Sequence, residues 1–497
     1  MPNYTKRAVH GAAVVGIMSV LASAIGYGLR IILAKNLAPA EFGLVYSVIA
    51  LFGMIYLFQH LGLNDALTFC VSKHGITKNF GHVYNAIRYV LRLQVIVALV
   101  IGVVLASTSG WLAAHYFGNP AAQNLILIHA LLLILLPFET VFQSIFQGMQ
   151  MMKYYSGVNL LRIIVSIIFT VIFLKSGLGP SSVFYAYLIC ATLPFVLWMP
   201  LTRSRLPKMW KEFWAHRPGY SIALQSELFG FSVPVIFTAA AGVVMSYTDT
   251  MILTAFRTLD EVGLYNAAVP TASLLWVISS SLSIVTFPMV SELWHTNKHK
   301  VLQNGIESLY KYSMMLILPV ALAIFAYPEF ILSTLFGTAY IPATVPLRML
   351  SLGAILYTLG RVNDAVFYGI GKPKISSKIA IIASVTNLAL NLALIPRYGM
   401  IGAAAATITG FAITLVLGVR AIRNEIRFAM PIAQWIKTIA ASIVFLASVW
   451  AVGSVLAWNP YLEAIVCVIT GFAGYLAVLF ASKALSYAEI KEIVARI

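Results

Sequence analysis

Apolar runs of about twenty residues follow one another along the whole chain, with no more than about 25 residues between successive runs, so no soluble domain fits between them. Each run is long enough to cross the hydrocarbon core of a bilayer as a helix. Residue usage agrees, since 60% of the 497 residues are hydrophobic and 10% charged, with a mean hydropathy of +0.89. That is more apolar surface than a water-exposed fold can hide. Fourteen runs are expected, centred near residues 22, 53, 98, 134, 167, 191, 240, 275, 319, 357, 386, 410, 446 and 471.

The runs are grouped by an internal repeat. Glu41-Phe42-Gly43-Leu44 returns as Glu261-Val262-Gly263-Leu264. Phe146, Gly148, Lys153 and Ser156 return as Phe367, Gly369, Lys374 and Ser377, and Gly177 has its counterpart in Gly399. The offsets stay between 220 and 222 residues, which argues for a duplicated unit of six spans. An even number of spans returns the chain to its starting side, so the two copies share one topology. The expected fold is an all-α polytopic membrane protein with about 14 transmembrane helices, in two parallel six-helix lobes plus two C-terminal helices. Residues 1–202 form the first lobe, 203–226 a basic cytoplasmic linker, 227–422 the second lobe, and 423–497 two additional helices and a cytoplasmic tail.

Lys and Arg accumulate on the cytoplasmic side of a membrane protein. Here they cluster at Arg203, Arg205, Lys208, Lys211 and Arg217, and are absent from Ser107–Gln123 and Trp458–Tyr461, which puts both termini in the cytoplasm. The net charge of +17 is spread over many membrane-flanking segments, a pattern suited to anionic lipid and not to nucleic acid. Gly11 to Ala34 is too long for a signal-peptide core and is expected to remain as the first span. Cys70, Cys190 and Cys467 have neither disulfide nor metal-ligand spacing, and neither metal nor cofactor is expected. The outer loops are short and nearly free of Asp, Glu and His, and no P-loop, HExxH or EF-hand pattern occurs, so no enzyme active site is expected. Asp260-Glu261 reads as helix-capping chemistry.

Ionisable groups inside spans are costly and by default face a bundle interior, a water-filled cavity or one another. Arg30, Arg92, Arg162 and Arg361 are the candidate substrate-binding cations, and Asp249, Glu139 and Asp364 the candidates for gating or ion coupling. Position 30 maps onto position 250 of the repeat, beside Asp249. Two readings fit: an anion contact at Arg30 with Asp249 as gate, or an ion pair that satisfies two buried charges. Arg361 and Asp364, three apart, share a helical face and can neutralise each other. Arg92 and Arg162 are near enough to span ends to snorkel or to hold a phosphate. Glu139 follows Pro137, where a missing backbone donor loosens the helix; it is either a coupling site or a hydrogen-bonded structural carboxylate. His60 and His129 read as packed histidines. Pro234, Pro270, Pro288 and Pro319 mark places where spans bend.

The passage from Leu29-Arg30 through Ala34-Lys35-Asn36-Leu37-Ala38-Pro39-Ala40-Glu41-Phe42-Gly43 resembles the turn between helices one and two of the oligosaccharide (polysaccharide) flippases, in the multidrug/oligosaccharidyl-lipid/polysaccharide exporter superfamily. Asp249-Thr250-Met251-Ile252-Leu253 with Glu261-Val262-Gly263-Leu264-Tyr265 is similar to the same family, as are Gly371-Lys372-Pro373-Lys374, Asn387 to Asn391, and Leu394-Ile395-Pro396-Arg397-Tyr398-Gly399. The resemblance implies a V-shaped pair of lobes, alternating access, a cavity lined largely by helices one, two, seven and eight, and transfer of a polyprenyl-phosphate- or pyrophosphate-linked glycan from the inner to the outer leaflet. It also implies work beside glycosyltransferases and a polymerase or ligase. Lipid II flippases share the superfamily and the span count, but few basic residues stand in spans two and eight. Multidrug exporters share the fold but usually have twelve spans. A scaffold built on an inactive transporter is a further alternative.

Overall fold

The computed structural model describes residues 2–76, 79–207, 211, 222–455 and 460–486, and every regular element among them is helical. Lys208 and Arg217, and the tail beyond residue 486, lie outside the described residues. Contacts gather the chain into two compact units, Met1–Asn266 and Ala267–Ile497.

Eleven of the described helical segments are long and apolar enough to cross a membrane. The longest, Pro373–Glu425, is two helices merged at Gly399, whose φ of 54° and ψ of −134° lie outside helical space. Glycine adopts that backbone because it has no Cβ to clash. Just beyond it, a Cβ at Gly402 would come within 2.7 Å of the Leu394 carbonyl oxygen, so the chain folds back tightly on itself. Gly399 is therefore the break between expected spans eleven and twelve. The spans expected near 275 and 471 are built from shorter helices, Leu259–Ser273 with Trp276–His295, and Pro460–Ala481. Each of the fourteen expected runs is helix, and the protein is an all-α, multi-pass membrane protein.

The second run of each repeat is interrupted midway. Pro39–His60 ends where Leu61 and Gly62 take φ of 47° and 65°, and the chain resumes as Leu63–Ile76. A Cβ on Gly62 would lie 2.7 Å from the Ser232 carbonyl oxygen, so the break lets the helix Ile222–Phe256 approach closely. In the other copy the interruption falls at Leu274–Leu275, four residues after Pro270. The helix His299–Ala326 runs on through Pro319.

The repeat is also legible in packing inside each unit. In the first, a Cβ on Gly148 would sit 2.7 Å from Val71 Cβ; in the second, one on Gly369 would sit 2.7 Å from Val290 Cβ. Both helices then end alike. The Met151 amide donates to Phe146 O at 2.8 Å, and the Lys372 amide donates to Phe367 O at 2.8 Å. Left-handed residues complete the two turns, Gln150 with φ 56° and Gly371 with φ 73°. This is the Schellman arrangement, and it explains the Phe-x-Gly echo. The phenylalanine anchors the last turn in the core, and the glycine admits a neighbouring helix.

Candidate functional site

Six helices of the first unit surround one cavity of about 380 Å³. Pro2–Asn36 contributes Arg30, Pro39–His60 contributes Tyr46, Gly53 and Tyr56, and Ala121–Gly148 contributes His129 and Glu139. Arg162, Tyr187 and Tyr247 come from Met152–Lys175, Ser181–Cys190 and Ile222–Phe256. A second compartment of about 190 Å³ shares Leu136, Glu139, Thr140 and Arg162 with it and continues past Gln143 and Asn159. The charged groups thus stand at the junction of the two spaces.

Among the described residues Arg30 is held by a ring face and a carbonyl, and no carboxylate forms an ion pair with it. Its guanidinium lies 4.1 Å from the centroid of the Tyr46 ring, a cation–π contact, and Nη1 donates to Asn266 O at 3.2 Å. Asn266 is itself fixed, donating from Nδ2 to Thr250 Oγ1 at 3.2 Å and to Val262 O at 3.0 Å. Positions 30 and 250, paired by the repeat register, are therefore linked through one asparagine. Asp249 lies beside that link, buried, with Oδ2 accepting a hydrogen bond from Tyr265 at 2.6 Å.

Glu139 and Arg162 form the other charged pair. Arg162 Nε is 3.6 Å from Glu139 Oε1, and Nη2 donates to Asn159 Oδ1 at 3.1 Å. Gln143 Nε2 donates to Glu139 Oε1 at 3.3 Å, while Oε2 is buried with no hydrogen-bond partner among the described residues. At 3.6 Å without a short fork, the pair is loose enough for a third group to enter.

An aromatic wall faces these charges across the cavity. Tyr56 Oη and His129 Nε2 are 2.5 Å apart, and the imidazole stacks on Phe52 at 3.9 Å between centroids. His129 is packed, as the sequence suggests, but it also lines the cavity, and its Nδ1 has no partner among the described residues. Tyr56, Tyr187 and Tyr247 add phenol hydroxyls beside the charged groups and the apolar side chains of the lining. Two cations and one carboxylate give the cavity a positive balance, and aromatic faces with hydroxyls suit a polyhydroxylated ligand.

The remaining predicted site residues lie elsewhere. Arg92 is exposed and is not part of this lining. Arg361 and Asp364 pair within the second unit at 2.9 Å, and Ser376 donates to the same carboxylate. A larger pocket of about 560 Å³ in the second unit holds Arg348 and Glu463, and Arg348 stands 4.0 Å from Glu329. Those side chains are largely exposed at helix ends, so they lack the converging burial of the first cavity.

A multi-pass helical chain with a charged internal cavity fits the class of membrane transporters. The polysaccharide biosynthesis protein model matches residues 8–294, and the MatE model residues 234–393. The chain belongs to the polysaccharide biosynthesis protein family, whose model covers more than half of it. An uncharacterized membrane protein of Methanocaldococcus jannaschii is 28% identical over 100% of this chain and 99% of its own. A probable low-salt glycan biosynthesis flippase of Haloferax volcanii is 22% identical over 92% of this chain and 93% of its own. Among solved structures, a lipid II flippase in an inward closed conformation matches with a TM-score of 0.74 over 94% of this chain and 98% of that one, at 15% identity, a likeness of fold.

Proposed function

We propose that this protein is a flippase that carries a polyprenyl-phosphate- or pyrophosphate-linked oligosaccharide from the inner to the outer leaflet of the cell membrane by alternating access, for assembly of a cell-surface glycan. Its substrate would come from glycosyltransferases and its product pass to a polymerase or ligase. In this reading both termini are cytoplasmic, 1–202 and 227–422 are the two repeats joined by the basic linker 203–226, and 423–497 is an appended pair of spans with a tail.

The observation that carries the reading is the convergence of Arg30 and Arg162 on one cavity walled by tyrosines. Moving a phosphorylated, hydroxyl-rich head group through hydrocarbon costs many kcal/mol, because charge and hydroxyls lose water together. A hydrated cationic pocket lowers that cost while the lipid tail stays in the bilayer. The hydrogen bond to Asn266 uses one of Arg30's five N–H donors, which leaves others for phosphate oxygens. Arg162 is the second phosphate candidate, and Glu139, already set against it, is the candidate coupling or gating group. Asp249 and Asp364 stand outside this cavity and are candidates for gating or ion coupling, and Arg92 and Arg361, also outside it, are the weaker phosphate candidates.

The test is leaflet accessibility of a polyprenyl-pyrophosphate oligosaccharide in proteoliposomes, with an organic-cation dye run in parallel. Faster equilibration of the glycan lipid without dye transport is expected. Dye transport alone would reject the flippase reading in favour of a drug exporter.

A further inference from the structure

Away from the cavity, four groups that ligate transition metals meet where three helices of the first unit pack. Cys70 and His74 stand one turn apart on Leu63–Ile76, His82 is the third residue of Phe80–Trp111, and Glu227 is in the second turn of Ile222–Phe256. The ligand atoms of Cys70, His74 and His82 all lie within 4.8 Å of one another. Glu227 closes the group, with Oε1 3.2 Å from His74 Nε2 and Oε2 2.9 Å from His82 Nε2. Beneath them the helices share a dry core that includes Leu67, Val71, Val83, Ile87, Leu224 and Leu228. The positions of the four side chains are therefore set by packing.

We propose that Cys70, His74, His82 and Glu227 form a binding site for a zinc-class divalent cation. The donor set decides the class. One sulfur, two imidazoles and one carboxylate suit a borderline-soft ion in four-coordination, whereas calcium and magnesium require oxygen ligands. Metal–ligand bonds of about 2.0–2.3 Å in a tetrahedron separate the ligand atoms by about 3.3–3.7 Å. The carboxylate–imidazole separations of 3.2 and 2.9 Å already approach that value, and the Cys70, His74 and His82 atoms, within 4.8 Å of one another, need a contraction of at most about 1–1.5 Å. Lys73 Nζ, 2.7 Å from Glu227 Oε1 on a half-exposed side chain, holds the positive charge that the cation would replace. A bound ion would staple Leu63–Ile76, Phe80–Trp111 and Ile222–Phe256 together at one end of the unit. The spacing alone conceals this, because Cys-x3-His-x7-His crosses a helix junction and Glu227 lies far along the chain. The proposal does not rest on the transported substrate.

Cobalt(II) titration of the purified, untagged, chelator-treated full-length protein tests it. One equivalent is expected to bind with a thiolate-to-cobalt charge-transfer band and tetrahedral d–d absorption, both bleached by zinc, and zinc is expected to raise Tm. The band should vanish in Cys70→Ser and persist in Cys467→Ser, whose thiol is buried in the second unit. His82→Gln, at the more exposed rim, should weaken binding by at least about tenfold while eluting as a monodisperse species, which keeps the test open if Cys70→Ser does not fold. A wild-type protein that gives no charge-transfer band, or a band that survives Cys70→Ser, would overturn the site.

Discussion

Gly43 and Gly263, the two glycines of the duplicated Glu-x-Gly-Leu turn, lie against each other backbone to backbone. A Cβ on Gly43 would fall 1.9 Å from Leu259 O and 2.8 Å from Gly263 N, and one on Gly263 would fall 2.1 Å from Pro39 O. The repeated glycine is thus explained by contact between its own two copies. Each turn is also set by a local cap: Glu41 Oε2 accepts the Ala38 amide at 3.1 Å, and Thr258 Oγ1 accepts the Glu261 amide at 3.4 Å.

Gly43→Ala is therefore expected to destabilise the protein by about 1–3 kcal/mol or more, because the clashing atoms are backbone and cannot rotate away. Gly157→Ala, where a new Cβ meets nothing within 4 Å on a helix, is the control and should gain up to about 1 kcal/mol from helix propensity. Thermal unfolding in detergent compares the two. Equal Tm values would show that the glycines do not meet.

Arg30→Ala is expected to lower glycan-lipid transport by about 10- to 100-fold, the loss of one or two charge-assisted hydrogen bonds to phosphate. Arg30→Lys should fall between, since a point charge replaces a planar fork that also stacks on Tyr46. Expression and Tm should change little, because the cation–π contact contributes only about 1 kcal/mol at a partly exposed site. Transport by Arg30→Ala at the wild-type rate would end its phosphate role.

What the sequence reveals and what it hides follow from the chemistry of each residue. Arg30, Glu139 and Arg162 stand out because an ionised group in an apolar run is costly enough to be rare. Tyr56, Tyr187, Tyr247 and His129 do not, because aromatics in a span are equally at home in an interfacial belt, a packed core or a cavity wall. Helix positions were legible from apolar runs, but the break at Leu61-Gly62 was not. It comes from the close approach of Ser232, a contact set by tertiary packing with no proline to announce it. The same limit hid the linkage from Arg30 to Thr250 through Asn266, since an asparagine on its own carries little signal.

The Glu139–Arg162 pair predicts unequal single mutants. Arg162→Ala leaves a buried carboxylate with Gln143 as its one side-chain support among the described residues, whereas Glu139→Gln removes the charge, keeps an acceptor for Gln143 and leaves Arg162 bonded to Asn159. Stability should fall by about 1–3 kcal/mol in the first and by less than about 1 kcal/mol in the second. If Glu139 couples transport to an ion gradient, Glu139→Gln should also uncouple the rate from that gradient. A gradient-dependent rate in Glu139→Gln would assign the carboxylate to structure alone.

Gly53 separates shape from charge in the same cavity. A Cβ there would lie 2.5 Å from the Tyr247 ring, and both residues line the space that holds Arg30 and Arg162. The clash is with the end of a side chain, so Tyr247 can move, and the helix-propensity gain of Ala over Gly offsets much of the packing cost. Gly53→Ala should therefore fold normally yet transport more slowly, because the displaced ring occupies volume the head group needs while every charge stays in place. Tyr247→Leu, which shortens that wall, should restore transport to the Gly53→Ala background, and the double-mutant cycle should show strong coupling. Additive effects, or wild-type transport by Gly53→Ala alone, would place the substrate path away from this pair.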